Sequence, residues 1–282
     1  MKVLLFGKSG QLSQELYPLL QTLGEVKAIN TDEADFTKAG EVLALIQREN
    51  PEVIINGAAY TAVDKAEEQK ELCYQINGRA VCEMALGAKE CDGLLIHYST
   101  DYVFDGTKSE PYVESDPTCP ISVYGETKRA GEEAVITSSC NYLLFRISWI
   151  YSGRGNDFPC KMLELSETRP EIRVVADQIG SPTWTRTVAE KTIEILKNPL
   201  AFSPESSGIY HLVAQEYVSW YDFACEVLRE QETKLYPIQT SEYPTPAKRP
   251  HNSRLNCDKI KNTFGIELPT WKEEYHRFES ER

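Results

Sequence analysis

From the N-terminus to about Ile147 the chain alternates short apolar runs with stretches of helical periodicity, and this alternation limits the fold more than any other feature. Residues 3–6 read as a strand and 11–23 as the helix that follows. Residues 26–29, 53–56, 94–98 and 143–147 read as further strands, with helices over 41–49, through 80–89 and from Tyr124 onward. The strand runs are continuously apolar, as strands buried on both faces require. A βαβα rhythm of such strands predicts an α/β fold: a doubly wound parallel sheet of the modified Rossmann type. Beyond residue 150 the pattern loosens. Helices are expected over 160–166, 188–196 and 219–229, short strands at 174–175 and 210–213, and a loop over the Pro-rich 243–250. Residues 1–150 are therefore expected to form a dinucleotide-binding domain. Residues 151–282 should form mainly a smaller α/β substrate domain, with later segments free to return to the first.

Charge narrows the partners. The 282 residues carry a formal net charge of -13, which argues against nucleic acid and anionic membrane. No apolar run approaches the roughly 18 residues of a membrane span, and the N-terminal run breaks at Gly7, too early for a signal peptide. The eight cysteines contain no CxxC pair and only four histidines are present. Metal and disulfide frameworks are not expected, and free thiols point to the reducing cytoplasm.

Gly7-Lys-Ser-Gly10-Gln-Leu-Ser13 lies between the first strand and the first helix, the context a dinucleotide fingerprint needs. Gly7 allows the tight turn, and Gly10 lets the backbone of Gln11 and Leu12 approach a pyrophosphate at the helix N-terminus. Ser13 stands where a third glycine is usual. The second strand ends at Asn30, where an acid would reject a 2′-phosphate; a neutral residue leaves NADPH and NADH both open. Asp35 and Phe36 are candidates to flank an adenine. In Asn56-Gly-Ala58-Ala59-Tyr60, after the third strand, small residues let a cofactor lie against the backbone.

Tyr124 and Lys128 are four apart and share a helix face. By itself this spacing describes many solvated helices. Beside Thr100, whose hydroxyl can hold a substrate oxygen, it reads as a proton-transfer site for interconverting a carbonyl and an alcohol. A nearby ammonium is expected to ease ionisation of the phenol. Near the C-terminus, Lys248-Arg249-Pro-His251-Asn252-Ser-Arg254 is a cationic cluster in an acidic chain, suited to a diphosphate or to the loop that holds it.

Together, Gly7-Lys-Ser-Gly-Gln11, Ala62-Val-Asp-Lys-Ala66, His97-Tyr-Ser-Thr-Asp-Tyr-Val-Phe104, Val123-Tyr-Gly-Glu-Thr-Lys128, Asp177-Gln-Ile-Gly-Ser-Pro-Thr183, Tyr210-His-Leu-Val-Ala214 and Arg249-Pro-His-Asn-Ser-Arg-Leu-Asn256 resemble the extended short-chain dehydrogenase/reductase superfamily. Within it, they resemble the dTDP-4-dehydrorhamnose reductases. The resemblance implies NADPH-dependent (or NADH-dependent) reduction of a C4 keto group on a nucleotide sugar, in dTDP-rhamnose and cell-wall polysaccharide synthesis. It assigns proton donation to Tyr124, its activation and nicotinamide-ribose binding to Lys128, and the keto oxygen to Thr100. The substrate would meet Asp101, Tyr102, Val103, Phe104, Trp149, Arg249, Asn252 and Arg254. Relatives also use acidic residues to hold a divalent metal at a dimer interface. Glu15 matches one such position, but the segment Thr183-Trp-Thr-Arg-Thr187 offers no second acid. A Mg2+ requirement is thus doubtful, and a monomer or weak homodimer is expected. Asp157 and Cys160, in Asn156-Asp-Phe-Pro-Cys-Lys161, depart from the family's Asn and Lys, and an anionic Asp157 near a diphosphate would be unfavourable. Other nucleotide-sugar epimerases or reductases share the Tyr and Lys. A non-catalytic regulator, such as the methionine adenosyltransferase regulatory subunit, shares the fold.

Overall fold

The computed structural model describes residues 1–155 and 157–282. In chain order the strands are β1 (Lys2–Phe6), β2 (Glu25–Ile29), β3 (Val53–Asn56), β4 (Leu94–Thr100), β5 (Asn141–Ile147), β6 (Ile150–Tyr151), β7 (Glu171–Val175), β8 (Ile179–Gly180), β9 (Thr183–Trp184), β10 (Gly208–His211), β11 (Val218–Ser219) and β12 (Lys234–Ile238). The helices are α1 (Gln11–Leu20), α2 (Glu41–Glu49), α3 (Val63–Ala66), α4 (Lys70–Tyr74), α5 (Ala80–Glu90), α6 (Val123–Ser138), α7 (Phe158–Ser166), α8 (Thr185–Lys197), α9 (Trp220–Val227), α10 (Asp258–Phe264) and α11 (Trp271–Glu281).

Six strands form the main sheet in the order β10-β5-β4-β3-β1-β2, and every neighbouring pair is parallel. The chain leaves β1 first to one side and then to the other, so the order reverses at β1, where open α/β sheets bind ligands beyond the carboxyl ends of their strands. Side chains alternate across the sheet. Val3, Leu5, Val53, Ile55, Leu94 and Ile96 pack under α1, α8 and α10. Leu4, Phe6, Ile54 and Leu95 pack under α2, α5 and α6. A separate cluster of Tyr151, Ile172, Val174, Trp184, Phe223, Tyr275 and Phe278 forms the core of a second body.

The expected first helix ends early, at Leu20, where Thr22 caps back onto the Leu19 carbonyl and Gly24 reverses the chain. The helix expected through 80–89 is the end of a longer one that begins at Lys70 and contains a π turn over Gln75–Arg79. The strand expected at 210–213 runs over Gly208–His211 and joins the main sheet beside β5.

Helix α6 is fastened to the sheet by a buried ion pair. Arg146 on β5 donates from Nε and Nη2 to the Glu132 carboxylate at 2.9 and 2.7 Å, and both side chains are almost wholly buried. The Arg146 guanidinium also lies over the Phe104 ring at 4.9 Å. Truncating one partner of such a pair leaves a buried charge unanswered. Arg146→Ala is predicted to lose about 3–5 kcal/mol of unfolding free energy, read by chemical denaturation. A loss under about 1 kcal/mol, the worth of an ordinary exposed pair, would show that α6 is not held this way.

Candidate active site

The site is assembled at the carboxyl ends of β1, β3, β4 and β5. Gly7 turns the chain out of β1 with φ 80, and a Cβ there would lie 2.7 Å from Ala58 N. Only glycine fits, because the turn packs directly on the loop after β3. Gly10 precedes α1, no described side chain caps that helix, and its first turn carries no acid. The backbone N–H groups of Gln11 and Leu12 therefore present an open, positive helix end. Ser13 is fully buried and sits over Gly57, where any Cβ would collide with its hydroxyl. A glycine at residue 57 compensates for the missing glycine at residue 13, and α1 begins at Gln11 as expected.

Asn30 opens the turn after β2, and the Glu33 carboxylate folds back to accept its N–H at 2.8 Å. Asp35 is occupied by the Thr37 N–H and hydroxyl at 2.9 and 2.7 Å, bonds that hold its carboxyl below the usual range. Phe36 meets Phe6 edge-on at 5.7 Å, and Arg79 donates to its carbonyl at 2.9 Å. The loop carrying Ala58, Ala59 and Tyr60 is pinned twice. Asn56 accepts from Ala58 N at 3.1 Å, and Asn77, within the π turn, accepts from Tyr60 N at 2.8 Å.

Tyr124 and Lys128 lie in the first turns of α6, which Ser122 caps through Gly125 N. Lys128 is buried, and its ammonium donates to the Tyr98 carbonyl of β4 at 2.6 Å. Burial lowers its pKa to about 8, against the opposing pull of Glu132 one helical turn on. Tyr124 is surrounded by protein yet still partly reached by solvent, and its ring meets that of Tyr102 edge-on at 5.6 Å. The expected easing of its ionisation is not what the site does. Burial pushes the phenol well above its ordinary value, with only the Thr100 hydroxyl pulling it down. Desolvation is the largest effect on the phenol, and the Lys128 ammonium is turned to the Tyr98 carbonyl, so Tyr124 stays protonated at neutral pH. Thr100, at the end of β4, donates to Asp101 at 3.1 Å and accepts from Tyr102 N at 3.2 Å. Asp101 is buried, which pushes its pKa up to about 6, and its Oδ2 has no partner among the described residues.

Other expected residues have different surroundings. Val103 and Phe104 are core residues, and Phe104 stacks on Tyr112 at 4.0 Å, so they shape the loop from beneath. Trp149 follows β5 with φ 48, a backbone region that L-residues rarely adopt. Arg249 forks onto Asp64 with bonds of 3.1 and 2.8 Å. Asn252 donates to the Lys108 and Glu110 carbonyls at 2.7 and 2.9 Å and accepts from Arg254 Nε at 2.8 Å. Arg254 also donates to the Ser109 carbonyl. These side chains fasten the 105–112 loop and α3 to the C-terminal segment. Asp157 caps α7 and accepts from the N–H groups of Ser152, Gly153 and Cys160 at 2.8, 2.6 and 3.1 Å. Its charge is satisfied locally. Burial pushes the Cys160 thiol up to about 11, and Lys161 pairs with Glu164 on the surface. Asn156 lies outside the described residues.

Glu15 does not present the site the resemblance offers to a divalent metal. Its buried carboxylate is bound by Arg186 at 2.7 Å and Arg154 at 2.9 Å, and Arg186 continues to Glu281 at 2.9 Å. No described group of three or more His, Cys, Asp or Glu residues is arranged to hold a metal ion. The guanidinium of Arg186 supplies the cation instead.

The reversed strand order, the glycine turn at an open helix end and a Tyr–Lys pair beside a Thr hydroxyl define a class: a doubly wound dinucleotide-binding oxidoreductase. Within that class, the chain belongs to the family described as RmlD substrate binding domain, whose model matches residues 1–281. It is 42% identical to the dTDP-4-dehydrorhamnose reductase of Escherichia coli K12, over 96% of this chain and 95% of that one. It is 41% identical to the enzyme of that name from Burkholderia thailandensis, over 96% of both. Among solved structures, a dTDP-4-dehydrorhamnose reductase from Clostridium acetobutylicum superposes with a TM-score of 0.93 at 36% identity, over 99% of both chains. The reductase from Bacillus anthracis, in complex with NADP, gives 0.91 at 33% over the whole of both.

Because a guanidinium occupies Glu15, EDTA or added Mg2+ is predicted to leave both thermal midpoint and turnover unchanged. Activity lost on chelation and restored by Mg2+ would contradict the arginine assignment.

Proposed function

We propose that the protein reduces the C4 keto group of dTDP-4-dehydro-L-rhamnose to give dTDP-L-rhamnose, using NADPH, with NADH as a weaker donor. The geometry that carries this reading is Tyr124 on one helix with the buried Lys128, whose ammonium bonds the strand that ends at Thr100. It agrees with the activity named for relatives about 41% identical across nearly the whole chain and with the NADP bound to the Bacillus anthracis reductase.

The residues at the first βα turn fit a dinucleotide. The uncapped end of α1, free of acids, suits a pyrophosphate, and the buried Gln11 Oε1 has no partner among the described residues. Gly7, Gly10, Gln11 and Leu12 would hold the diphosphate, Asn30, Asp35 and Phe36 the adenosine end, and Ala58, Ala59 and Tyr60 the middle. When bound, the reduced nicotinamide supplies the hydride. The Thr100 hydroxyl, which donates to Asp101 in the free protein, would turn its one hydrogen to the keto oxygen and orient it. Tyr124 gives its proton to that oxygen as negative charge develops there. A phenol held protonated suits this direction of reaction, because the donor must arrive carrying its proton. The buried Lys128 ammonium then stabilises the tyrosinate left behind, and a low-dielectric setting strengthens that attraction. Arg249, Asn252 and Arg254 serve the sugar nucleotide through the loop they fasten. The first sheet carries the cofactor and the second core the substrate, with the sugar between them.

The reading extends to a cytoplasmic protein acting as a monomer or weak homodimer. In support, the described cysteines are unpaired, no described helix is long and apolar enough to cross a membrane, and Glu15 is paired within the chain.

The test is NADPH oxidation with dTDP-4-dehydro-L-rhamnose, with the product identified. Tyr124→Phe should bind NADPH normally and lose about 10²–10⁴-fold in kcat; near-wild-type turnover would remove Tyr124 as the donor. Lys128 is charged below about pH 8 and neutral above it. The pH profile of kcat/KM, which reports the free enzyme, should therefore fall as pH rises through that value. A flat profile there would show that the Lys128 charge is not used.

A further inference from the structure

Trp149 is held by more than its own backbone. Its indole stacks on that of Trp220, with centroids 3.6 Å apart and planes 9° from parallel. Trp220 begins α9 in the second body, and its ring also packs on Phe158 at 4.6 Å. Phe158 begins α7, the helix that Asp157 caps. On another side, a Cβ built on Gly180 would lie 2.5 Å from Trp149 Cε2. Gly180 lies outside the left-handed region, so its lack of a side chain answers to the ring, not to the backbone. β8, which carries Gly180, pairs with β11, so that Gly180 faces Val218 in register just before Trp220. Two adjoining segments of the second body thus clamp one indole. That indole is two residues beyond Ile147, the register partner of Thr100.

We propose that Trp220 and Gly180 are positioning residues that fix the sugar specificity of the reduction proposed above. With one face covered by Trp220 and an edge set against Gly180, only the remaining surface of Trp149 can meet a ligand. A rigid indole surface just past the strand that pairs with the one ending at the carbonyl-orienting threonine suits the apolar C–H face of a 6-deoxy sugar. It offers nothing to an added hydroxyl, which would lose its water there. The left-handed backbone at Trp149 fits this role, since such strained conformations persist at sites where surrounding contacts impose them.

Because the inference rests on the proposed activity, the experiment separates the two. Gly180→Ala pushes only on the ring. It should raise the KM for the 4-keto sugar nucleotide about tenfold or more, while the KM for NADPH stays within about twofold. Trp220→Ala should do the same, and Trp220→Phe, which keeps a stacking partner, should recover most of the loss. Two indoles stacked this closely also give an exciton couplet in circular dichroism. The couplet should vanish in both Trp220 variants and shift when the sugar nucleotide binds the wild type. An active wild type whose sugar-nucleotide KM is unchanged in Gly180→Ala and Trp220→Ala overturns this inference alone. So does an equal rise in both KM values. A wild type inactive toward the 4-keto sugar takes down both readings.

Discussion

The buried pair of Glu132 and Arg146 is the contact on which the site depends. It ties α6 to β5 from one side of the helix, while Lys128, one turn earlier, ties the same helix to the Tyr98 carbonyl of β4. The phenol of Tyr124 is carried one further turn back, so its position follows from these two anchors. Arg146 also supports Phe104 from below, and Phe104 underlies the loop that begins at Thr100. Donor, activator and orienting hydroxyl thus share one buried electrostatic foundation. Such a pair gives little net stability against an apolar alternative; here it fixes where the reactive groups stand.

Desolvation sets the protonation states. It keeps Tyr124 protonated, brings Lys128 down to about 8 and raises Asp101 to about 6. His97 belongs to the same buried layer. Asn56 bonds to its Nδ1 at 3.0 Å, and burial beside the Lys128 charge keeps the ring neutral. A protonated phenol one helical turn from a largely charged ammonium is poised to give a proton, which is the reductive direction.

The main sheet was legible because apolar runs such as Val53–Asn56 are short, continuous and separated by helical periods, all local properties. The second body was less so. β12 is short, half-exposed and contains Pro237, and α11 hides Trp271, Tyr275 and Phe278 within a highly charged segment. The glycine turn, Tyr124, Lys128 and Thr100 could be named from motifs. What occupies the charged side chains could not. Arg249 reads as serving a diphosphate or the loop that holds it, and the sequence does not show that Asp64, far away in the chain, is its partner. Glu15 reads as half a metal site until Arg186 appears beside it. Glu132 left a faint signal, four residues beyond Lys128 on the same helix face, whereas the stacking of Trp220 on Trp149 left none. Nor does a lysine four residues away reveal that burial, and not a nearby charge, will govern Tyr124.

That last balance is the centre of the account, and tyrosinate absorbance measures it directly. The free wild-type protein and Tyr124→Phe are titrated with base, and the difference isolates one phenol. The account predicts no ionisation of Tyr124 until above its ordinary value of about 10. A difference signal appearing near neutral pH would contradict it, showing that the lysine, and not burial, governs the proton donor.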